Sequence, residues 1–265
     1  MLSVCATPIG NLEDVTLRVL RELREANVIL CEDTRRTRLL LDRHDIRGRL
    51  VTYHEHNEAR RTSELVPRLV AGERMALVTD AGMPAVSDPG ARLIRAALDA
   101  GVPVTVLPGP SAVETALVAS GLVAERYQFV GYLPRGEKAL AAFWKELSRW
   151  PWPVVAFESP HRLPRTLRSL AAAMPERGAA VCRELTKTFE EVVRGTAEEL
   201  ATRFAAPPKG EIVLVLGASE AVVDKTAGLD AVVELVDAGV PRRQAAAVVA
   251  RLTGASRNAL FDASL

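Results

Sequence analysis

The stretch 77-LVTDAGMPAVSDPGARLI-94 decides how the rest of the chain is read. An apolar, β-branched run closes at Asp80, and residues rich in Gly, Pro, Ser and Asp follow until a helical pattern resumes. A strand that ends in a long turn and hands over to a helix is the βα unit of a parallel sheet. Ligands of such sheets collect outside the carboxyl ends of the strands. Asp88-Pro89 reads as an N-cap followed by an N1 proline, with Gly101 closing that helix.

The same rhythm extends on both sides. LSVCAT (2–7), NVILCED (27–33), RLVTY (49–53), MALVTD (75–80) and VPVTVLP (102–108) are β-rich runs separated by helical patterns. In the first of these patterns Asn11, with Asp14 three residues on, reads as a cap. Leu12, Val15, Val19, Leu20, Leu23 and Ala26 then share one face. Ser111 with Glu114 reads as a capping box, and Gly121 ends the helix that it starts. Beyond Gly121 the texture changes. YQFVGYLP, PVVAFES, AAVCREL, FEEVVRGT and GEIVLVLG read as strands, with helices near 136–149, 161–174 and 196–205. Two strands follow each other closely around Arg183 to Phe189, which predicts a mixed or antiparallel sheet. The expected architecture is α/β with two lobes. A parallel-sheet N-terminal lobe (1–110) precedes a mixed-sheet C-terminal lobe (111–218) and a small helical tail (228–265) around VPRRQAAAVVARLTG.

With 265 residues, 48% of them hydrophobic and 25% charged, the chain can bury a sizeable core. No apolar run is long enough to span a membrane, and MLSVCATPIG lacks the basic start and apolar centre of a signal peptide. A cytoplasmic protein is expected. Cys5, Cys31 and Cys182, odd in number and each beside an apolar run, read as buried reduced thiols. A net charge of +1 does not announce nucleic-acid binding, yet Arg35, Arg36, Arg38, Arg43, Arg47 and Arg49 face only Asp42 and Asp45 in their segment.

There is no GxGxxG after the first strand and no GxxxxGK[ST], so dinucleotide and P-loop sites have little support; a GxSxG elbow is also missing. What recurs is a strand end followed by Pro and Gly, in TPIGN (7–11), DAGMP (80–84) and LPGPS (107–111). Glycine lets backbone approach a ligand with no Cβ in the way, and proline stiffens the turn. Three such turns at one sheet edge would cradle an adenosine or an amino-acid end, although each alone is also an ordinary βα turn. Asp80 stands at a strand end where a carboxylate can accept from a ligand's amine, and Glu32-Asp33 is equally suited to capping the next helix or touching substrate. His54 and His56 have HxH spacing without a third compact ligand, so no metal is expected.

TPIGNLEDVTLR, CEDTRRTRLLL, LVTDAGMPAVSDPG, LPGPSA, ESPHRL, RELTKTFEEVVRGT and KGEIVLVL also follow one another in the order and spacing of a single family. From Thr7 to about Leu216, and again at NALF in the tail, the chain resembles the ribosomal RNA small subunit methyltransferase I family. That family belongs to the tetrapyrrole-methylase-like, class III S-adenosylmethionine (SAM) methyltransferases. Met83 and Val86 stand where the family more usually has Thr and an Ile-like residue.

The resemblance implies a homodimer that binds SAM between two α/β lobes and methylates a cytidine 2′-hydroxyl in the decoding region of 16S rRNA, on the 30S subunit. It implies SAM contacts at Pro8, Asp80, Gly82, Pro84, Val86, Ser111 and Ala112, and on the second lobe at Phe157, Leu185, Glu211 and Ile212. Glu184, Lys187 and Asp33 are the candidates for catalysis, with Glu158 nearby, and Arg35, Arg36, Arg135, Arg162, Arg183 and Lys187 for RNA phosphates. Methylation of a small ring, or an RNA-binding assembly factor without catalysis, are the competing readings. The first has trouble with the basic Arg35–Arg49 segment, the second with the three Gly/Pro turns.

Overall fold

The computed structural model describes residues 1–148, 150–219, 225–253 and 255–264. Its first sheet is wholly parallel, in the order β3-β2-β4-β1-β5. The strands are β1 (Leu2–Cys5), β2 (Val28–Cys31), β3 (Leu50–Thr52), β4 (Met75–Leu77) and β5 (Val104–Leu107). β1, β2 and β4 are buried throughout, because helices cover both faces. Leu2, Val4, Val28, Leu30, Met75 and Leu77 pack against Leu65 and Leu69 of α3 (Glu58–Val70) and Leu93 and Ala97 of α4 (Ala91–Asp99). Cys5, Ile29, Cys31 and Ala76 alternate to the other face, where α1 (Leu17–Glu25) and α2 (Thr34–Arg43) supply Val19, Leu23, Leu40 and Leu41. Because β1 lies between β4 and β5, the winding reverses there, and the turns after all three strands leave the sheet at one end.

The second sheet is mixed, in the order β6-β7-β10-β8-β9. It comprises β6 (Gln128–Tyr132), β7 (Val154–Glu158), β8 (Gly178–Arg183), β9 (Glu191–Thr196) and β10 (Ile212–Leu216), and only β6 and β7 run parallel. On one face α6 (Glu137–Leu147), α7 (Leu163–Ala173) and α8 (Ala197–Arg203) close a core around Trp144, whose Nε1 donates to Ser169 Oγ at 3.0 Å. On the other face α5 (Ala112–Ser120) lays Val113, Ala116 and Leu117 on Val155, Ala180, Val213 and Val215. Ile9 of the first lobe joins this same cluster, so one apolar seam binds the two lobes. The tail forms α9 (Lys225–Asp237), α10 (Arg242–Thr253) and α11 (Arg257–Ala263) around Val232, Ala245, Ala246, Val249 and Leu260. Cys5, Cys31 and Cys182 are free and buried. No helix among the described residues is long and apolar enough to cross a membrane.

Three helix starts differ from the sequence reading. The cap of α1 is Thr16, whose Oγ1 accepts from Val19 N at 3.2 Å; Asn11 Oδ1 instead accepts from Glu13 N at 3.1 Å, inside the preceding loop. Ser111 does occupy the N-cap of α5, but its hydroxyl binds the Glu114 carboxylate and caps no backbone N–H. The reciprocal box forms at Thr196 and Glu199 of α8 instead. Most consequentially, α4 is not capped by Asp88: it begins at Ala91 after Gly90, whose φ of 137° no L side chain tolerates well.

β10 is buried along its whole length at the centre of the second sheet, and Leu214 is 0% exposed. Leu214→Ala is expected to cost about 2–5 kcal/mol through lost transfer energy and a residual cavity. Urea unfolding followed by circular dichroism measures it, and a cost under about 1 kcal/mol would mean that this core is looser than its burial indicates.

Candidate active site

The turn after β1 and the turn after β4 are tied by two backbone hydrogen bonds, Thr7 N to Gly82 O at 2.9 Å and Gly82 N to Thr7 O at 3.0 Å. From there to α4 the chain repeatedly enters the left-handed region, at Gly82 (φ 81°), Ala85 (φ 69°), Ser87 (φ 62°) and Gly90 (φ 137°). Ala85 and Ser87 carry side chains there, which is a strained choice that surrounding structure has to impose. A Cβ on Gly90 would also stand 3.0 Å from Leu77 Cδ2. The coil turns the side chains of residues 86–88 into a cleft of about 820 Å³ between the lobes, a volume suited to a nucleoside-sized ligand.

Asp80, Gly82, Val86, Ser111, Ala112, Phe157, Leu185, Glu211 and Ile212 all line this cleft; Pro8 and Pro84 adjoin it in sequence without lining it. Sequence reasoning missed an aromatic wall. Phe129 and Phe157 meet edge to face with centroids 5.0 Å apart, and Tyr132 meets Phe157 at 5.6 Å. A plain period of two along β6 would pair Phe129 with Gly131, but the register shifts between Phe129 and Tyr132, with Gly131 at φ 65°, and brings Tyr132 into the wall.

Most carboxylates of the cleft are already engaged. Asp80 accepts from the Asp33 N–H at 3.0 Å and lies 3.6 Å from Arg36 Nε. Glu114 takes the Ser111 and Tyr127 hydroxyls. Glu158, 3% exposed, receives Arg162 at 2.9 Å, the Thr166 hydroxyl at 2.6 Å and the Ser159 N–H at 2.7 Å. Among the described residues Asp88 has no ion pair and no N–H donor. Burial, then the neighbouring Glu32 carboxylate, push its carboxyl up to about 6 against a lesser opposing pull from Thr79. Burial and Asp80 raise Glu32 as well.

The RELTK loop bridges the lobes. Glu184 (φ 52°) and Thr186 (φ 65°) are left-handed, Asn11 N donates to Thr186 Oγ1 at 3.0 Å, and a Cβ on Gly10 would meet Lys187 Cγ at 2.5 Å. Lys187 Nζ lies 2.8 Å from Glu184 Oε1 and 3.0 Å from Glu211 Oε2. Burial pulls the ammonium down, but the hydrogen bonds to these two carboxylates outweigh it and hold Lys187 above its ordinary value. The Lys187 hydrogen bond likewise holds Glu184 low. Neither is poised to take a proton at neutral pH. Asp33 is bound too: it caps α2 and grips Arg35 at 2.8 Å, and those bonds depress it to about 2.

The predicted phosphate-binding arginines fall into two groups. Arg35 and Arg135 are exposed, as is Arg36 at the cleft wall. Arg162 is spent on Glu158 and the carbonyls of Leu133 and Pro134, and Arg183 on Glu191 and the Lys209 carbonyl. His54 and His56 sit with ring centroids 6.0 Å apart, and His54 Nε2 pairs with Asn57 Nδ2. Among the described residues no group of three or more His, Cys, Asp or Glu is arranged to hold a metal ion.

The chain is similar to known proteins along its whole length. Residues 1–201 match the model of the Tetrapyrrole (Corrin/Porphyrin) Methylases, and residues 223–265 that of the RsmI C-terminal HTH domain. A protein of Mesorhizobium japonicum named ribosomal RNA small subunit methyltransferase I is 45% identical over 263 residues, covering 98% of this chain and 90% of its own. One of the same name from Halalkalibacterium halodurans is 48% identical, covering 81% of this chain and 75% of its own. Among solved structures, uroporphyrin-III C-methyltransferase of Thermus thermophilus complexed with S-adenosyl homocysteine superposes with a TM-score of 0.58. It is 21% identical, covering 83% of this chain and 98% of its own, a likeness of fold.

The free Asp88 carboxyl has a consequence for stability. Its value rises from 3.8 to about 6 on folding, so the folded state binds this proton more tightly. The associated stability is full below the unfolded value and is lost as pH rises through about 6. Asp88→Asn is therefore expected to melt higher than the parent at neutral pH. After allowance for solvent screening the gain is about 1 kcal/mol, or roughly 2–4 °C. The two melting curves should converge toward pH 4, and differential scanning calorimetry across that range would expose a variant that is no more stable at neutral pH.

Proposed function

The chain belongs to the tetrapyrrole methylase family, in its ribosomal RNA small subunit methyltransferase I branch, and on that premise we propose that it is a SAM-dependent 2′-O-methyltransferase of 16S rRNA. Its target is a cytidine ribose in the decoding region, met on the 30S subunit by a cytoplasmic homodimer. The observation that carries the reading is the cleft itself, with a backbone-rich rim of Gly/Pro turns, an aromatic wall and a carboxylate wall between two lobes joined at one seam.

These residues suit SAM. The aromatic wall of Phe129, Phe157 and Tyr132 offers a surface for adenine, and the Asp80 and Asp88 carboxylates suit a ligand that carries both an ammonium and a sulfonium. Bound SAM supplies a methyl group on an already activated sulfonium, so that positioning the acceptor in line provides much of the acceleration. Gly82, Val86, Ser111 and Ala112 form the first wall of this pocket, backed by the turns that carry Pro8 and Pro84, with Leu185, Glu211 and Ile212 opposite. Lys187, held protonated between Glu184 and Glu211, steadies the acceptor strand as a fixed donor. Asp33 acts indirectly, its N–H holding Asp80 and its carboxylate aiming Arg35. Arg35, Arg36 and Arg135 take phosphates, and Arg162 and Arg183 shape the loops beside them. No metal enters this scheme. The units 1–110, 111–218 and 228–265 divide the work into cofactor lobe, second cleft wall and an accessory helical tail.

The direct test is methyl transfer from labelled SAM to 30S subunits taken from cells that lack 2′-O-methylation at the decoding cytidine, followed by mapping of the label. Label on that ribose is the expected result; SAM binding without labelled RNA would return the substrate to a small ring. Lys187→Ala and Glu184→Ala are expected to lower turnover while SAM affinity holds, and wild-type rates in both would remove the RELTK loop from the chemistry. Replacing Arg35 and Arg36 together by Ala should reduce the steepness of log K against log salt by about two phosphate contacts, as read from filter binding of 30S particles.

A further inference from the structure

Apolar side chains scattered singly over a surface need no explanation. Phe189, 72% exposed, needs one because of where it stands and how it is held. The chain has six phenylalanines. Phe129 and Phe157 pack at the seam between the lobes, Phe143 and Phe204 in the core of the second lobe, and Phe261 in the tail. Among the described residues Phe189 joins no apolar cluster and meets no other ring. The other exposed aromatic rings are engaged. Tyr127 bonds Glu114, Tyr132 leans on Phe157, and Arg126 lies over the Trp152 ring at 5.7 Å.

The loop that carries Phe189 is held from several sides. Leu185 roots it in the apolar seam, and Asn11 N, from the first lobe, braces it by donating to Thr186 Oγ1 at 3.0 Å. Lys187 N donates to Glu184 O at 3.0 Å, and Glu190 N donates to Lys187 O at 3.1 Å, closing a turn with Thr188 and Phe189 at its centre. The Glu190 carboxylate accepts from Thr186 N and ties the turn back to its start. Gly, Asn, Asp and Pro are the usual residues of such turns. Phenylalanine here adds nothing to a core, but it presents a flat ring on ordered backbone, so a ligand that docks on it loses little freedom to the protein.

The position is equally specific. Leu185, Gly210 and Glu211 line the cleft, and Lys187 binds Glu211, while Phe189 lies outside the cavity and beside its rim. Lys209, whose carbonyl accepts from Arg183 Nη1 at 3.1 Å, is exposed beneath the same loop and forms no ion pair among the described residues. The residues flanking the ring, Lys187, Thr188, Glu190 and Glu191, are polar. A protein partner calls for a contiguous apolar patch. One apolar ring among polar groups, with a free cation nearby, suits a nucleobase, which has an apolar face, polar edges and an adjoining phosphate.

We propose that Phe189 is a stacking platform for a nucleobase of the RNA, one turned out of its helix beside the acceptor ribose, with Lys209 on the adjoining phosphate. The proposal rests on the rRNA-methylation reading above. It supplies what that reading requires, since a ribose reaches the cleft in line only when its strand leaves the packed helix, and the displaced base then needs a surface to replace the stacking it has lost.

The test uses the full-length protein, 30S subunits lacking the modification, and single-turnover methyl transfer from labelled SAM, read as the 30S concentration that half-saturates the rate. Phe189→Ala and Phe189→Leu are both expected to raise it by about 5–100-fold, and Phe189→Trp to keep it within about threefold. SAM affinity by calorimetry should stay within about threefold in all of them, and melting temperature within about 2 °C, as for a surface change. In filter binding, Lys209→Ala should lower the slope of log K against log salt by about one contact, whereas Phe189→Ala weakens binding and leaves the slope unchanged. A wild-type half-saturation in Phe189→Ala overturns the proposal. So does a wild-type value in Phe189→Leu, which would make the contact merely apolar. Loss of a dimer in Phe189→Ala, seen by light scattering, also overturns it and assigns the ring to a second copy of the chain. A wild type that binds SAM but leaves the RNA unlabelled overturns the methylation reading and this proposal with it; no variant is needed to see that failure.

Discussion

The paired hydrogen bonds between Thr7 and Gly82 join two turns that leave the sheet from neighbouring strands. β1 and β4 are adjacent because the winding reverses at β1, so their outgoing turns face each other across the crevice where open α/β sheets bind ligands. The bridge removes the freedom of those turns to splay. Gly82 supplies the positive φ that it needs, and the Thr7 hydroxyl reinforces it by reaching the Thr79 carbonyl at 3.0 Å. Once it is made, residues 83–90 must coil to reach the start of α4, Ile9 is delivered to the seam with the second sheet, and Gly10 comes to rest under the RELTK loop. Cleft wall, lobe contact and loop placement all follow from one pair of backbone bonds.

The charge pattern follows from the same geometry. β2 and β4 are neighbours, so Glu32 and Asp80 emerge side by side, and the coil adds Asp88 to them. Water would disperse three carboxylates readily. The fold confines them, and Arg36 pairs with Asp80 while also acting on Glu32. A cation entering such a wall meets a favourable field before it makes any contact, and the field weakens for a ligand that has lost its positive charge. That asymmetry suits a donor whose sulfonium becomes a neutral thioether on reaction.

Much of this was readable before any coordinates. Each strand run shows β-branched or apolar residues bounded by Gly, Pro or Asp, and buried strands between covering helices cannot be written otherwise. The mixed second sheet was legible because the runs ending at Arg183 and beginning at Phe189 left no room for a crossover helix. What escaped were features decided by backbone conformation away from regular structure. Asp88-Pro89 has the composition of a cap, and only the left-handed Ala85 and Ser87 show why the helix waits until Ala91. Tyr132 was invisible as a wall residue, because a bulge at Gly131 breaks the alternation that a sequence pattern assumes. The engagement of Arg162 and Arg183 was equally hidden, since their partners Glu158 and Glu191 are identified only by the fold.

The cleft is also where the molecule departs furthest from its most stable arrangement. Ala85, Ser87, Glu184 and Thr186 hold left-handed backbone without being glycine, Thr79 keeps a buried hydroxyl unpartnered among the described residues, and Asp88 has its carboxyl raised by burial and two neighbouring acids. Each is unfavourable by an amount of order 1 kcal/mol or more. These costs fall on turns at the cleft, while the two sheets and their helices have large, mainly apolar interiors that can offset them. Of the left-handed residues other than glycine among the described residues, all but Asp45 gather on this rim, as a scaffold holding polar groups in place requires. A pair of turns selected for stability alone would relax at Ala85 and Ser87 and let Asp88 ionise toward solvent.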